Sequence, residues 1–310
     1  MRDRIRRYRW ALVAAAVVVV GVWVFDVSRA GTRAEGCPIG CVTVGERQEG
    51  PLRVMSLNVL HGFPRFQRLP DRLDLIAQEI RSQDADIVCL QEVPWTRQLG
   101  SGAAYLAQRT GLNHLYLRAN GNRWTILFEE GEAILSRFPL DDVTITELQP
   151  RPGFFEHRVV LGATASTLWG DVRVFVTHLA NDNPEVNRAQ TESLMAFVGE
   201  SGEGPAIVAG DFNATEDSPQ IHAITAEWVD AYRAANPADE GLTCCIDNLS
   251  SGPGEPLEER IDYVFLVPDA EYVARVVSSQ RVLDEPFESA GRWQWASDHV
   301  GLLTVIRVEP

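Results

Sequence analysis

Short apolar segments recur along this chain, and a polar side chain interrupts or ends each of them. The segment 206–215, AIVAGDFNAT, is one example. Because successive side chains of a strand point to opposite faces, Asp211 and Asn213 are predicted to share one side of this strand, with Phe212 on the other. The same placement occurs at Asn58, Glu92, His178, Asp262, Asp298 and His299.

A single polar residue at the end of a strand is usually a cap or a turn former. The repeated placement is harder to explain in that way, because polar side chains at the tips of neighbouring strands can converge on one pocket. We therefore interpret these residues as candidates for one functional site.

Many of the apolar segments are continuous runs, which are typical of strands buried on both faces. Segments with helical spacing separate them. They are residues 68–83, with Pro70 and Asp71 as a start signal, residues 183–200, with Pro184 in the first turn, and a stretch near 217–235. This alternation predicts an α/β protein in which sheets pack against each other and helices lie outside.

The N-terminus combines a basic start with an apolar run. Residues 10–25 carry no charge, and the arginines before them predict that the chain starts in the cytoplasm and continues outside it. We interpret residues 1–28 as a membrane anchor or, second, as a signal segment cleaved near Ala30 after Ser28 and Arg29; a buried helix is the third interpretation. Residues 29–50 are predicted to form a linker, and residues 51–310 a single catalytic domain.

The charge distribution limits the partners of that domain. The chain has a net charge of −15, and the first 30 residues contribute +4 through six Arg and two Asp, so residues 31–310 carry −19. Such an acidic surface repels phosphate backbones and disfavours binding of duplex nucleic acid. It does not exclude an enzyme that cleaves a phosphodiester, because a bound metal ion reverses the local field.

Five cysteines separate into two classes. Cys89 lies in an apolar run and is predicted to be a reduced core residue. The other four are Cys37, Cys41, Cys244 and Cys245. An oxidising compartment favours pairing among them, and three connectivities remain open.

The residue types of the candidate site favour a particular chemistry. Oxygen donors dominate, and hard oxygen ligands suit Mg²⁺ or Mn²⁺ better than zinc. The two histidines, His178 and His299, are then free for proton transfer or phosphate contact. A hard dication combined with His and Asp is typical of phosphoester cleavage.

Seven motifs resemble those of the endonuclease/exonuclease/phosphatase superfamily, in the order that the family has them over residues 52–303. They are SLNVLHG, IVCLQEV, EAILSRFP, VTHLAND, AGDFNAT, ERIDYVF and SDHVGLL. The family includes pancreatic deoxyribonuclease, abasic-site endonucleases, inositol polyphosphate phosphatases and sphingomyelinases. The resemblance implies a four-layer α/β/β/α sandwich of two mixed sheets, with the active site at one end of the sheets.

The resemblance also implies roles for the residues that bind metal and activate water. Glu92 would be the principal Mg²⁺ ligand, and Asn58 and Asp298 would support it. Asp211 would orient and deprotonate the attacking water, and Asn213 would help to hold that water and a phosphate oxygen.

The resemblance also implies that the two histidines act at the phosphate. His299 would contact the scissile phosphate while Asp262 fixes its tautomer, and His178 would stabilise developing charge on the phosphoryl oxygens. Glu132 stands where the family often has Asn, which leaves substrate contacts at that position open.

Two further residues are weaker candidates for substrate binding. Arg158 could reach the phosphate, although a solvated charge at a strand edge is the preferred interpretation. Trp295, in the aromatic loop before Asp298, could contact a lipid or a base, although packing over the sheet is preferred.

We therefore expect a Mg²⁺-dependent phosphoesterase outside the cytoplasm, most readily a phosphodiesterase. Its substrate is predicted to be a phospholipid headgroup or a small organophosphate rather than a nucleic acid. The alternative is a non-catalytic binding module that retains the fold. None of the metal-binding or acid–base residues is missing, which favours the enzyme.

Overall fold

The computed structural model describes residues 2–27, 29–37, 41–42, 50–269, 273–289 and 291–309. Ser28 of the predicted cleavage site and residues 38–40 and 43–49 of the predicted linker lie outside them. The helices are α1 (Arg2–Val27), α2 (Leu69–Ser82), α3 (Gly102–Thr110), α4 (Pro184–Glu200), α5 (Pro219–Thr225) and α6 (Ala231–Ala235). The strands are β1 (Glu35–Gly36), β2 (Leu52–Asn58), β3 (Ile87–Thr96), β4 (Gly100–Ser101), β5 (Asn113–Asn122), β6 (Phe128–Ser136), β7 (Leu140–Glu147), β8 (Val159–Thr167), β9 (Gly170–His178), β10 (Ala206–Asp211), β11 (Val229–Asp230), β12 (Asp262–Val267), β13 (Val273–Val282), β14 (Phe287–Ser289), β15 (Arg292–Gln294) and β16 (Gly301–Glu309).

Two mixed sheets form the centre of the fold. The first has the order β1-β5-β6-β3-β2-β16-β13, with β4 paired to β3, and the second has the order β11-β12-β10-β9-β8-β7. Buried aliphatic side chains from both sheets, such as Val54 and Ile87 from the first and Leu161 and Val174 from the second, form one core cluster between them. Burial on both faces explains why the strands read as continuous apolar runs.

Helices cover the outer faces of the two sheets. Leu73, Ile76 and Ile80 of α2 pack with the first sheet, while Leu194 and Val198 of α4 pack with the second. In α4 the Asn183 side chain accepts hydrogen bonds from the first free backbone N–H groups, as an N-cap does. The predicted α/β fold of two packed mixed sheets with an N-terminal apolar helix is thus confirmed.

Several sequence-based boundaries differ from the structure. The helix predicted near 217–235 is two short helices, α5 and α6, separated by β11. The strand predicted to stop at Pro94 continues to Thr96, because Pro94 pairs with Glu130 of β6. Inside the predicted linker, β1 extends the first sheet by pairing with β5.

Helix α1 projects from the sandwich. Its segment Tyr8–Val27 is 20 residues long with a mean hydropathy of 2.3, which is enough to cross a membrane by length and composition, and only 6% of its most apolar stretch is buried. Near its C-terminal end, Val27 and Ala30 are buried. The pairing of cysteines that the sequence left open is Cys37 with Cys41 and Cys244 with Cys245, and Cys89 is free and buried as predicted.

Candidate active site

Three neighbouring strands of the second sheet place three polar residues at paired positions in the sheet register. Asp211, the last residue of β10, pairs in register with His178 of β9 on one side and with Asp262 of β12 on the other. The Nε2 atom of His178 lies 3.5 Å from Asp211 Oδ2. The register of the sheet alone therefore brings together residues that lie 33 and 51 positions from Asp211 in the sequence.

The first sheet contributes Asn58 and Glu92. Asn58 ends β2, whereas Glu92 lies inside β3, at a bulge where the pairing with β6 shifts between Leu90 and Val93. Glu92 has a φ of 54°, a conformation that non-glycine residues seldom adopt and that is often retained at functional sites. The prediction that Glu92 ends a strand is therefore wrong: a bulge inside the strand re-aims its side chain.

The Asn58 carboxamide joins the two sheets. Its Nδ2 atom donates to Glu92 Oε1 at 3.2 Å and to Asp211 Oδ2 at 3.0 Å. The backbone N–H of His61 donates to the other Glu92 oxygen at 3.2 Å. One amide group thus links the carboxylate predicted to bind metal with the carboxylate predicted to act as the base.

The segment before β16 completes the cluster. His299 Nδ1 lies 2.9 Å from Asp262 Oδ2, and His299 Nε2 lies 3.7 Å from Asp211 Oδ2. Asp298 accepts a hydrogen bond from Ser297, and Ser297 Oγ also reaches the backbone oxygen of Asn58 at 2.6 Å. The candidate residues from both sheets and from this segment therefore meet at one end of the sandwich.

Burial and mutual charge shift the protonation of this cluster. Burial, with the nearby Asp262 carboxylate, raises the pKa of Asp211 to about 7. Burial alone would lower the pKa of His299, but the Asp262 and Asp211 carboxylates raise it well above its usual value. Burial and the neighbouring Arg158 hold the pKa of His178 well below its usual value. At neutral pH the site therefore combines a charged His299 with a neutral His178.

Arg158 differs from the preferred sequence interpretation. Instead of a solvated charge at a strand edge, it is buried, and its Nη1 atom lies 3.2 Å from His178 Nδ1. Glu130 and Glu132 of β6 are also buried, and each has one carboxylate oxygen without a hydrogen-bond partner among the described residues. Arg158 is a cation in a site otherwise rich in carboxylates, so it is suited to face a phosphate oxygen.

Asn213 and Trp295 also differ from expectation. Asn213 lies beyond the end of β10 with a φ of 47°, so strand alternation does not set its direction. Its backbone N–H donates to Asp211 Oδ1 at 2.9 Å and its carboxamide donates to the Leu179 carbonyl. Trp295 is buried and its indole N–H donates to Ser251, which matches the packing interpretation rather than substrate contact.

Two residues near the site were missed from the sequence. Arg72 of α2 is fully buried and donates to the carbonyl oxygens of Val59, Leu60 and Ala296, so it ties together the segments after β2 and before Asp298. Its position between Leu69 and Ile76 on the apolar face of α2 was the available signal. Cys244 Sγ lies 3.6 Å from His299 Nε2, a contact that no local pattern indicates.

The oxygen ligands beside Glu92 fit a hard dication. Burial raises the pKa of Asp298, and the charge of His299 opposes that rise. The negative charge of the nearby Glu92 carboxylate raises the pKa of Asp298 further. Two like charges in a partly buried position are stabilised by a cation between or beside them, and oxygen ligands suit Mg²⁺ or Mn²⁺. A second group that could hold an ion is Asp211, Asp262 and His299.

Comparisons with known proteins identify the family of the chain. The profile of the Endonuclease/Exonuclease/phosphatase family matches residues 55–299. The protein YbhP of Escherichia coli (strain K12) is 29% identical over 187 residues, which are 54% of this chain and 69% of YbhP.

Solved structures share the fold. An endonuclease/exonuclease/phosphatase from Beutenbergia cavernae is 24% identical with a TM-score of 0.62, covering 84% of this chain and 72% of its own. A mannosyl-6-phosphatase of Bacteroides thetaiotaomicron is 17% identical with a TM-score of 0.63, covering 84% of this chain and 100% of its own.

Proposed function

Because the chain belongs to the endonuclease/exonuclease/phosphatase family, whose members are hydrolases, we propose that it is a metal-dependent phosphodiesterase. The observation that carries this proposal is the Asn58 bridge, which joins Glu92 and Asp211 through one carboxamide. A metal-binding carboxylate and a general base held at a fixed separation are what hydrolysis of a phosphoester by in-line attack of water requires.

Asp211 is the proposed general base. Its carboxylate is oriented by the N–H of Asn213 on one oxygen and by Asn58 on the other, which leaves Oδ2 facing His178 and His299. A pKa of about 7 suits a base that must take a proton from water near neutral pH and later release it. We assign to Asn213 the task of fixing this carboxylate.

His299 and His178 are proposed to stabilise the phosphoryl group. Asp262 holds Nδ1 of His299, so the charged imidazolium presents Nε2 toward Asp211 and the position of the substrate. His178 stays neutral because it is buried beside Arg158, and Arg158 brings a fixed positive charge to the same side. Donors placed in advance where charge develops are worth more in a water-poor site than in water.

Glu92, with Asn58 and Asp298, is proposed to hold Mg²⁺, with Mn²⁺ as a substitute. When bound, such an ion polarises a non-bridging phosphoryl oxygen and offsets the negative charge of the transition state. The chain's own residues would then orient the substrate: Arg158 and His299 contact phosphate oxygens while Asp211 positions the water.

The proposed location is the outer side of a membrane, with α1 as the anchor or, after cleavage near Ala30, a secreted domain. Apolar length and the basic N-terminal residues support the anchor. The charge of −19 on residues 31–310 disfavours duplex nucleic acid as a partner, so we propose a phospholipid headgroup or a small organophosphate as the substrate class.

The full-length protein is expected to hydrolyse bis(p-nitrophenyl) phosphate in buffer with Mg²⁺ and to lose this activity with EDTA. Full-length protein in detergent micelles is assayed at saturating Mg²⁺, after chelation and after Mg²⁺ is restored. A His299→Ala variant, purified in the same way, measures contaminating hydrolase activity. Hydrolysis that does not exceed the His299→Ala background would favour the alternative of a non-catalytic binding module.

A further inference from the structure

Loops around the site expose large apolar side chains. Trp124 and Phe154 are 83% and 61% exposed, and Phe63 and Phe155 are also exposed. Ile126 and Leu127 lie beside Trp124 in the loop between β5 and β6 and are exposed as well. We call these six residues the apolar rim. A cluster of exposed apolar side chains on the surface of a globular domain often marks an interaction site.

The apolar rim borders the part of the site that reaches solvent. The side chains of Glu92 and His61 retain 18% and 28% exposure, whereas Asp211 and Asp262 are nearly inaccessible. Phe63 stacks on Phe128 with ring centroids 4.6 Å apart, and His61 lies 5.1 Å from the same ring. Ligands therefore approach Glu92 past the rim.

The other half of the rim lies in two loops that are tied together at the end of β5. Asn120 of β5 donates to the carbonyl of His157, the residue before Arg158, which ties the end of β5 to the loop that carries Phe154 and Phe155. The loop with Trp124 follows directly from this end of β5.

The end of α1 lies at this side of the molecule. In β1, Gly36 pairs with Leu115 and Glu35 with Tyr116, and further back Gly31 donates to the carbonyl of Arg118. Followed toward the N-terminus, the chain thus runs along β5 toward the Trp124 loop.

Asp26, in the last turn of α1, lines one cavity of about 360 Å³ together with Arg123 and Trp124. The point where α1 would leave the bilayer is therefore next to the apolar rim.

We propose that the apolar rim rests in the headgroup region of the membrane that holds α1, so that the site opens onto phosphoesters of membrane lipids. This rests on the proposed function for the reaction and on α1 remaining attached. Trp favours the membrane–water interface because its ring is apolar and its N–H is polar, and Phe, Ile and Leu on an interfacial surface bury apolar area among the lipids.

Local charge agrees with this orientation. Although residues 31–310 carry −19, exposed arginines gather at this end: Arg29 and Arg33 follow α1, and Arg65 and Arg97 line a cavity of about 490 Å³ with Leu127. Asp26 and Glu35 lie among them, and Glu35 is paired with Arg123. Cations near a bilayer surface attract anionic headgroups, so these arginines favour contact of the rim side with a membrane.

The test measures the depth of the rim in a bilayer without requiring turnover. Full-length Trp124→Cys protein is labelled with an environment-sensitive fluorophore, reconstituted into phosphatidylcholine–phosphatidylglycerol vesicles, and quenched with lipids that carry a spin label in the acyl chain. The matched control is Leu168→Cys, because Leu168 is 57% exposed at the β8–β9 turn. That turn is a nine-residue strand away from His178, roughly 25–30 Å.

We expect quenching at position 124 to exceed that at position 168 several-fold, and the same result for Phe154→Cys, which serves if the first variant does not fold. Equal quenching at both ends would overturn the membrane orientation. Hydrolysis of bis(p-nitrophenyl) phosphate is scored separately. Selective quenching without hydrolysis supports the membrane orientation and rejects the proposed function. Hydrolysis without selective quenching supports the proposed function and rejects the membrane orientation.

Discussion

An Asp211→Asn variant is expected to hydrolyse bis(p-nitrophenyl) phosphate about 10²–10⁴ times more slowly than the wild type while remaining folded. The carboxamide keeps the size of the side chain and can still accept from Asn58 or from the Asn213 N–H, but it cannot take a proton from water. The loss should appear in kcat rather than in KM, because the base acts in the transition state.

The same substitution is expected to increase the free energy of unfolding at pH 8. The pKa of Asp211 is about 7 in the folded protein and near 3.8 in the unfolded chain. With this raised pKa the fold has its full stability below pH 3.8, where the group is protonated in both states. Stability is lost as pH rises through 7, because ionisation of the buried carboxylate then carries an energetic penalty. Replacing the carboxylate removes this penalty, about 4 kcal/mol at most, against about 1 kcal/mol for a lost hydrogen bond.

The matched control is Asp217→Asn, the same chemical change at an exposed loop carboxylate six residues away. Its kcat should stay within about twofold of the wild type, since surface substitutions have small effects. Denaturant melts of the three proteins at pH 5 and pH 8 give the stability comparison. If Asp211→Asn retains more than about a tenth of the wild-type kcat, Asp211 is not the base.

A Glu92→Gln variant is expected to need about 100-fold more Mg²⁺ than the wild type for half-maximal activity. The single carbonyl oxygen of glutamine can still accept from Asn58 or from the His61 N–H, and the backbone pairing of β3 with β6 is unchanged, so the bulge in β3 should persist. What is lost is one of the two negative charges at the proposed metal site, and affinity for a hard dication depends on that charge.

The Mg²⁺ dependence is measured in two independent ways. One is activity as a function of Mg²⁺ concentration, and the other is calorimetric binding of Mg²⁺ to the protein without substrate. Glu192→Gln is the control, because Glu192 is an exposed glutamate of α4 paired only with Arg188 in the described contacts. A Glu92→Gln protein with the same Mg²⁺ dependence as this control would remove Glu92 from the metal site.

The recurring polar residue at the end of an apolar segment was sufficient to predict that several of these side chains lie together. Asn58, His178 and Asp211 each end a strand, and Asp262 begins one, so the register of the sheets carries them to one edge. Strand ends are visible in sequence because burial on both faces gives long apolar runs that stop abruptly.

The features that could not be predicted depend on contacts between distant segments. A bulge that turns Glu92 depends on the pairing with β6, and buried Arg158 contacts His178 at the end of the neighbouring strand β9. The contact between Cys244 and His299 joins a long polar segment to the last strand. Local spacing encodes none of these, because each is set by tertiary packing that overrides the local preference.

The location of a bound Mn²⁺ ion tests most directly whether residues from both sheets form one metal-dependent centre. Crystals of the full-length protein soaked in Mn²⁺ would be measured for anomalous scattering near the manganese edge. We expect the strongest peak within coordination distance of the Glu92 carboxylate, on the side shared with Asp298. A fully loaded crystal with its manganese only at Asp211, Asp262 and His299, or with no peak beside Glu92, would contradict the proposed centre.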